Sequence, residues 1–423
     1  MSQPLTLGRV LELILRGPAR LRSGEFQAQV TTHRGTALTW PISRDPGPLR
    51  IGERELIACG PAGWRHELRR VRTGGPARSE SGTGSWWELD HPEIQEHLDP
   101  GLLLSSLYDL RAVDTARGPV LSGRVRPMRD MDDLAALVYG FGGDGWRGLV
   151  DPRLGVLSEA RWLRSGRGGF RSQMKVELRG RPLPPVRPRR EWQAVLERMA
   201  SAAGELARAR FRATVRVAYS LEGVRALPDP HPASGFSGGY EWRGWHRRLF
   251  PVGVRGMAQE WASLEEHRRR LPPLLTQAGG AGFDAESRLL ARRGGWEVRA
   301  LPVRSELDPY GPWGRASTGG RGPDWLRDEG LVRMDPALGE MLDPLLVLAG
   351  VRLRRVRRVA GGWWISGVPR PSDRAHGYGA SVVHPFGDRW EGRVDSATGV
   401  LVSCRTWGGR VELSSHQLYL ESI

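Results

Sequence analysis

A twelve-residue pattern occurs twice in this chain, and the two occurrences are 244 residues apart. The pattern Trp-x-Gly-x-Val-Asp-x-x-x-Gly-Val-Leu occupies residues 146–157 and again residues 390–401. Upstream, the same offset relates Leu98-Asp99-Pro100 to Leu342-Asp343-Pro344, Ser122-Gly123 to Ser366-Gly367, and Arg126-Pro127 to Arg370-Pro371. Independent matches at one offset are improbable by chance, and this spacing exceeds that of a solenoid repeat. The sequence therefore predicts a tandem duplication of a whole domain.

The length of the chain agrees with two domains. A chain of 423 residues has room for two cores, and its 39% hydrophobic and 26% charged residues are typical of a globular protein. We predict a first copy over residues 1–178, a second over residues 190–423, and a linker between them at residues 179–189. The linker is rich in Pro and Arg, which favours a semi-rigid spacer.

The net charge of +16 is carried almost entirely by arginine. Lys175 is the only lysine, there is no Asn, and both features are typical of GC-rich coding. Residues 1–180 carry a net charge of +5 and the remainder +11. The second half is therefore the better candidate for binding an anionic partner.

Two cysteines and the amino-terminal segment bear on the compartment. Cys59 and Cys404 are too few for a disulfide framework, although one long-range disulfide between them remains open. Charged residues interrupt the apolar positions of residues 1–22, which predicts an amphipathic helix rather than a signal peptide. No segment approaches the roughly 18 apolar residues of a membrane span. We expect a cytoplasmic protein.

Each copy is predicted to begin with a helix followed by a strand. In the first copy the helix lies within residues 1–22 and the strand at residues 25–30. In the second, an apolar helical face runs from Trp192 to Leu206, and the strand follows at residues 210–215. The apolar face could bind a partner or a membrane, but we favour packing on the adjacent sheet.

A pair of strands is predicted next. Residues 55–59 and 64–68 flank a Gly-Pro-Ala-Gly turn, and residues 295–300 are the counterpart in the second copy. The Gly-, Ser- and Thr-rich residues 73–85 and residues 311–324 are predicted to be mobile loops.

The last part of each copy is predicted to hold a short helix and a hairpin. The Asp of each Leu-Asp-Pro segment is expected to cap that helix through its side chain, with Pro in the first turn. In the hairpin, Asp151 and Asp395 are expected to start the turn. Gly155 and Gly399 supply the permissive backbone at its end.

The copies differ mainly in one insertion. Between the first strand and the Leu-Asp-Pro segment the second copy has 126 residues and the first has 67, a difference of 59 that we place within about residues 216–285. The insertion contains an aromatic and basic patch at residues 240–248 and a predicted helix at residues 257–271. The candidate partner-binding residues of this patch are Trp242, Arg243, Trp245, Arg247 and Arg248.

The segment Val351–Val359 has the densest positive charge. Its candidate anion-binding residues are Arg352, Arg354, Arg355, Arg357 and Arg358. The equivalent residues 107–115 include Asp109 and Asp114, so the fold does not require arginine there. A strand with a solvated face is one interpretation. A site for phosphate, anionic lipid or an acidic protein is the other, because guanidinium groups bind such oxygens bidentately.

No motif predicts catalysis, a cofactor or a metal site. The G-x-G-x-x-G letters at residues 140–145 precede a strand rather than a helix, which favours a hairpin loop over a dinucleotide site. The histidines lack zinc spacing and are expected at the surface or partly buried. The acidic run at residues 130–133 lacks the pattern of a calcium loop. We therefore predict a protein that is not an enzyme, with no catalytic residue, cofactor or metal.

The order of elements in each copy resembles that of the bacterial lipoprotein carriers and their relatives, the LolA, LppX and RseB/MucB-like proteins. The C-terminal hairpin with its Val-Asp and Gly-Val-Leu turn is closest to that of actinobacterial members. The resemblance implies an α+β fold in two tandem domains, each a curved antiparallel sheet, or half-barrel, wrapped over helices. It also implies an apolar cavity between sheet and helices, able to hold an acyl chain or to present a concave surface to a protein.

Two functional hypotheses follow. The first is a non-enzymatic binding protein that holds a hydrophobic or lipid-like ligand between sheet and helices. The second is a cytoplasmic interaction or regulatory subunit that docks a protein through the basic second half, with nucleic acid the less favoured target. A wide apolar interior would support the first hypothesis and a filled core the second.

Overall fold

The structure is a computed structural model, and it describes only part of the chain. The described residues are 5–21, 25–33, 52–60, 63–70, 78–82, 92–126, 145–163, 171–179, 183–206, 209, 211–219, 283–292, 295–302, 317–321, 336–370, 382–384 and 387–422. They form two compact units, Met1–Glu197 and Arg198–Ile423, called here the first and the second unit. The predicted domain bounds and linker stay predictions.

The first unit contains helices and nine strands in the described residues. Its elements are α1 Leu7–Arg16, α2 Pro18–Leu21, β1 Glu25–His33, β2 Gly52–Gly60, β3 Gly63–Arg70, β4 Arg78–Gly82, α3 Pro92–Leu98, a 3₁₀ helix Pro100–Ser106, β5 Leu107–Thr115, β6 Gly118–Val125, β7 Gly145–Val150, β8 Leu157–Leu163 and β9 Arg171–Arg179. The next helix, α4 Arg190–Leu206, contains the division between the units.

The second unit repeats this order of elements. Its described elements after α4 are β10 Phe211–Tyr219, β11 Phe283–Arg292, β12 Gly295–Pro302, β13 Ser317–Arg321, α5 Pro336–Leu342, α6 Leu345–Gly350, β14 Val351–Val359, β15 Gly362–Pro369, β16 Arg389–Asp395, β17 Leu401–Gly408 and β18 Val411–Ser422.

Each unit has one open antiparallel sheet of nine strands in its described part. The strand order is β4-β3-β2-β1-β9-β8-β7-β6-β5 in the first sheet and β13-β12-β11-β10-β18-β17-β16-β15-β14 in the second. The two orders are identical, with β5 and β14 at corresponding ends. The predicted α+β class with two antiparallel sheets and covering helices is confirmed.

The first strand of each sheet in chain order shows the same alternation of buried side chains. Phe26, Ala28 and Val30 are buried in β1, and Phe211, Ala213 and Val215 are buried in β10. Alternation of this kind places one face of each strand against the core. In the first unit this face packs in a cluster with side chains of α2, α3, β9 and the hairpin after β7: Leu21, Ile94, Leu98, Leu154, Val156 and Met174.

The repeated Trp-x-Gly step has a packing explanation. Trp146 and Trp390 are buried, and each ring lies over the glycine two residues later on the same face of its strand. A Cβ atom on Gly148 would lie 2.3 Å from Trp146 Cη2, and one on Gly392 would lie 2.6 Å from Trp390 Cη2. The glycine therefore makes room for the tryptophan.

The predicted hairpin turns are confirmed. The side chain of Asp151 accepts hydrogen bonds from the backbone N–H groups of Arg153 (2.7 Å) and Leu154 (3.1 Å). Asp395 accepts corresponding bonds from the residues that follow it. Gly155 and Gly399 have φ of +74° and +77°, a conformation that favours glycine.

Two expectations about loops and caps are wrong. Residues 78–82 and 317–321, predicted to be in mobile loops, form the end strands β4 and β13, because their backbones pair with β3 and β12 despite weak strand propensity. Asp99 is the N-cap of the 3₁₀ helix but makes no side-chain cap hydrogen bond. Its backbone carbonyl accepts from Leu102 N instead, at 3.1 Å.

The proline-rich residues 183–189 are hydrogen-bonded to α1 of the first unit. Arg9 Nη2 donates to Val186 O and Arg16 Nη1 to Arg187 O, both at 2.8 Å. The buried carboxylate of Glu12 accepts from the backbone N of Arg189 at 2.9 Å and forms ion pairs with both α1 arginines. This stretch is therefore fixed to one helix along much of its length.

Candidate anion-binding surfaces

The predicted basic segment forms β14, the end strand of the second sheet. In the described residues β14 pairs only with β15, and its register shifts between Leu353 and Arg355, which leaves Arg354 in a bulge. Arg354, Arg355, Arg357 and Arg358 are exposed. The structure thus brings the predicted arginines together along one edge of a sheet.

Two of these arginines are oriented by tryptophans of β15. The Arg357 guanidinium lies 5.4 Å from the centroid of Trp364, and the Arg358 guanidinium lies 4.2 Å from that of Trp363. Both pairs face each other across the β14–β15 ladder. Cation–π contacts fix the side-chain direction while leaving the N–H donors available.

The exposed arginines of β14 have no carboxylate partner in the described part of the chain. Ion pairs found elsewhere in the second unit include Arg212 with Glu421 and Arg405 with Glu412, both at 3.5 Å. Positive charge on β14 is therefore not neutralised by the described acidic residues.

The corresponding strand of the first unit lacks this charge. Strand β5 has Leu110, Val113 and Asp114 where β14 has Arg354, Arg357 and Arg358. Val113 is 53% exposed, so its position tolerates either an apolar or a charged side chain. These three arginines of β14 are thus not needed to form the strand.

The other predicted patch cannot be placed. Trp242, Arg243, Trp245, Arg247 and Arg248 lie outside the described residues, as do the predicted helix 257–271 and the acidic run 130–133.

A second basic surface was not predicted from the sequence. Arg111 on β5, Arg147 on β7, Arg161 on β8 and Arg171 on β9 occupy one row across the first sheet, with Ser122 on β6 between the first two. Directly paired residues of antiparallel strands point to the same face. The neighbouring row on the opposite face contains the buried Leu121 and Ala160, so the arginines lie on the face away from the core. We call these four residues the arginine row.

One carboxylate lies beside the arginine row. Glu159 accepts hydrogen bonds from Arg171 Nη2 (2.9 Å), Arg117 Nη2 (3.1 Å) and Arg161 Nε. Burial works to raise the pKa of Glu159, but the hydrogen bonds from Arg171, Arg161 and Arg117 outweigh it and lower the pKa from 4.5 to about 2. Arginine is in excess around this carboxylate.

The same row in the second sheet is less basic. Its residues are Arg355, Ser366, Glu391, Arg405 and Ser415. Arg147 is thus replaced by Glu391, and Arg171 by Ser415. The 244-residue offset could have revealed both differences, but only the strand register shows that the four arginines share one row.

The described residues offer little for metal or thiol chemistry. Within them, no three His, Cys, Asp or Glu side chains are grouped as a metal site. Cys404 is a free, buried thiol, so the long-range disulfide is not formed, and burial raises the pKa of that thiol well above its ordinary value.

His97 and His384 are buried, contrary to the sequence expectation. The Nδ1 of His97 donates to Leu157 O and its Nε2 accepts from Ser172 Oγ, both at 2.8 Å.

No helix in the described part of the chain has the length and hydropathy needed to cross a bilayer. The expected cytoplasmic location and the absence of enzymatic activity stay predictions.

Comparison with known proteins leaves the family open. No family model matches the chain, and no curated protein matches it in sequence. Among solved structures 13 chains match. MucB is one of them, at 16% identity and a TM-score of 0.25. That match covers 41% of this chain and 59% of MucB. A TM-score this low does not establish a shared fold, so the resemblance to lipoprotein carriers stays a prediction.

Proposed function

We propose that this chain is a non-enzymatic binding protein and that strand β14 docks an acidic protein segment. The observation that supports this most strongly is the group of four exposed arginines on an end strand, without a carboxylate partner in the described residues. We further infer that the two units are copies of one domain, because their strand orders are identical. The second copy would then have acquired Arg354, Arg357 and Arg358 for binding, whereas Arg355 has a counterpart in Arg111.

The edge position supports an extended peptide as the ligand. An end strand presents backbone N–H and C=O groups that an added strand can pair with. After the bulge at Arg354, β14 is regular from Arg355 to Val359, where Arg355 and Arg357 point to one face. Carboxylates at alternate positions of an added strand would meet these guanidinium groups, which bind them bidentately.

Charged edge strands also prevent sheets from pairing with other molecules. A binding experiment separates this protective role from docking. The probe is a fluorescein-labelled peptide of four Glu-Val repeats, measured by fluorescence anisotropy with the full chain. The test variant is Arg357→Asp, at one of the two arginines that would meet the carboxylates. The matched control is Arg410→Asp, in the exposed turn before β18, which changes the net charge equally.

We expect Arg357→Asp to weaken binding about 5-fold to 10-fold, because it replaces an attraction by a repulsion at a partly desolvated contact. Arg410→Asp should change it less than 2-fold. Equal loss of affinity in both variants would indicate general charge attraction. No binding by the unmodified chain would leave only the protective role of the charged edge. Either result would contradict the proposal.

A hydrophobic or lipid-like ligand between sheet and helices is the other prediction from the sequence. The cluster of buried apolar side chains from α2, α3, β1 and β9 supports a filled core in the first unit. Native mass spectrometry with organic extraction tests this directly. A lipid-sized adduct at one or two per chain would establish a ligand site, and an unchanged mass after incubation with lipids would exclude a carrier.

A further inference from the structure

The arginine row is a surface distinct from β14, on the other unit. Adjacent strands lie about 4.8 Å apart, so the row from β5 to β9 extends about 19 Å across the sheet. That length matches about six residues of extended chain. The row therefore offers repeated guanidinium groups to one short linear ligand.

The contacts of Glu159 show what these arginines bind. Its carboxylate is held by two members of the row, Arg161 and Arg171, and by Arg117 from the β5–β6 turn. The side chains of Arg117, Arg161 and Arg171 remain 62%, 46% and 38% exposed. The remaining members, Arg111 and Arg147, are exposed and have no carboxylate partner in the described residues. One carboxylate thus leaves most of the positive charge available.

An apolar stripe runs beside Arg111 and Arg147, the two members of the row that have no carboxylate partner in the described residues. Val113, Val120 and Leu149 pair in register across β5, β6 and β7 on the same face as Arg111 and Arg147. Val113 is exposed, and the other two are partly buried. A surface with a charged row next to an apolar stripe suits a protein segment, whose side chains supply both carboxylates and apolar groups.

Single-stranded nucleic acid fits this surface less well. Binding of that kind uses aromatic rings on which bases stack. Tyr108, at the start of β5, has the Arg124 and Arg126 guanidinium groups 5.5 Å and 5.8 Å from its ring centroid, so its ring already makes cation–π contacts.

We propose that the arginine row of the first unit, flanked by the stripe of Val113, Val120 and Leu149, binds a short acidic protein segment through its carboxylates. The site is independent of β14, and every protein compared in its test carries the same change in β14.

The test compares two double variants in the full chain. Arg111→Glu with Arg147→Glu reverses the two row members that hold no carboxylate, and the second change installs the residue that the second sheet has in this row. The control, Arg153→Glu with Arg187→Glu, makes the same change in charge at exposed positions of the first unit outside the row. Circular dichroism confirms that both variants fold.

The probe is a labelled peptide of eight glutamates, measured by anisotropy at about 50 mM and 150 mM salt. To weaken the contribution of β14 equally in every protein compared, all of them carry Arg357→Asp. We expect the row variant to weaken binding about 10-fold and the control less than 2-fold, with weaker binding at the higher salt concentration.

Three results would overturn the proposal. The first is equal loss in both double variants, and the second is no measurable binding of the peptide. The third is tighter binding of a single-stranded oligonucleotide of equal charge with the same loss in the row variant, which would assign the row to nucleic acid. A row that fails this test while Arg357→Asp still weakens binding of the Glu-Val peptide would leave the proposed function intact.

Discussion

The two units have the same strand order but carry positive charge in different places. In the first unit, arginine lies in a row across the outer face of the sheet, and the end strand β5 is nearly neutral. In the second unit, arginine is concentrated on the end strand β14, and the equivalent row contains Glu391 and two serines. Two sheets with the same strand order thus present two different surfaces, because solvent-facing positions can differ without altering the core.

If the scaffold is shared, equivalent core changes should cost the two units similar free energies. Phe26→Ala and Phe211→Ala each remove a buried ring at the same place in the sheet. We expect each to lower the free energy of unfolding by about 3–5 kcal/mol, the usual range for loss of a buried Phe. Chemical denaturation followed by tryptophan fluorescence measures both. A loss below about 1 kcal/mol in one variant would show that the two cores differ.

The Trp-x-Gly step gives a finer comparison. A methyl group on Gly148 or Gly392 would collide with the tryptophan ring beside it, so the ring must move. Gly148→Ala and Gly392→Ala should each cost about 1–3 kcal/mol, the range for overpacked cores. Gly204→Ala is the control, since nothing lies within 4 Å of its added Cβ. Neutral effects at both glycines would contradict the packing explanation of the repeated pattern.

The core and the turns were predictable because their signals are local. The alternation of Phe26, Ala28 and Val30 indicates a strand, and the Asp-x-x-x-Gly spacing indicates a turn. The strands β4 and β13 were missed because the sheet edge, rather than their own composition, determines their conformation. The arginine row was missed for a related reason: its members lie on four strands, and only the pairing register brings them into line.

Glu159 has no acidic counterpart in the second unit, because Ser403 occupies the equivalent position. Its effect on stability should therefore be specific to the first unit. Its folded-state pKa is below the unfolded value, so its contribution is present above about pH 4.5 and is lost as the pH falls towards 2. Glu159→Gln should therefore lower the stability by about 1–2 kcal/mol at pH 7, a value reduced for the exposure of the arginines. The difference from the unmodified chain should shrink between pH 4.5 and pH 2.

Thermal unfolding monitored by circular dichroism across that pH range tests this prediction. Ser403→Ala is the control and should show no such pH dependence. A constant difference between the Glu159→Gln variant and the unmodified chain would mean that the ionised carboxylate does not stabilise the fold.

The smallest expected effect lies in the hairpin turns. Asp151→Ala removes two backbone hydrogen bonds, and Asp395→Ala also removes the bond from Thr398 Oγ1 at 2.8 Å. We expect losses of about 0.5–1.5 kcal/mol, slightly larger for Asp395. Urea denaturation of the two variants measures the difference, and a clearly larger loss for Asp151 would contradict the hydrogen-bond assignment.

The central claim is that two separate surfaces bind acidic segments, one on each unit. Isothermal titration calorimetry with the eight-glutamate peptide tests it most directly, because the stoichiometry counts the sites. We predict about two peptides per unmodified chain, one of the two sites weakened about 10-fold after either Arg357→Asp or the Arg111→Glu and Arg147→Glu pair, and both sites weakened after all three changes. A single site in the unmodified chain, weakened alike by both sets of changes, would contradict the account.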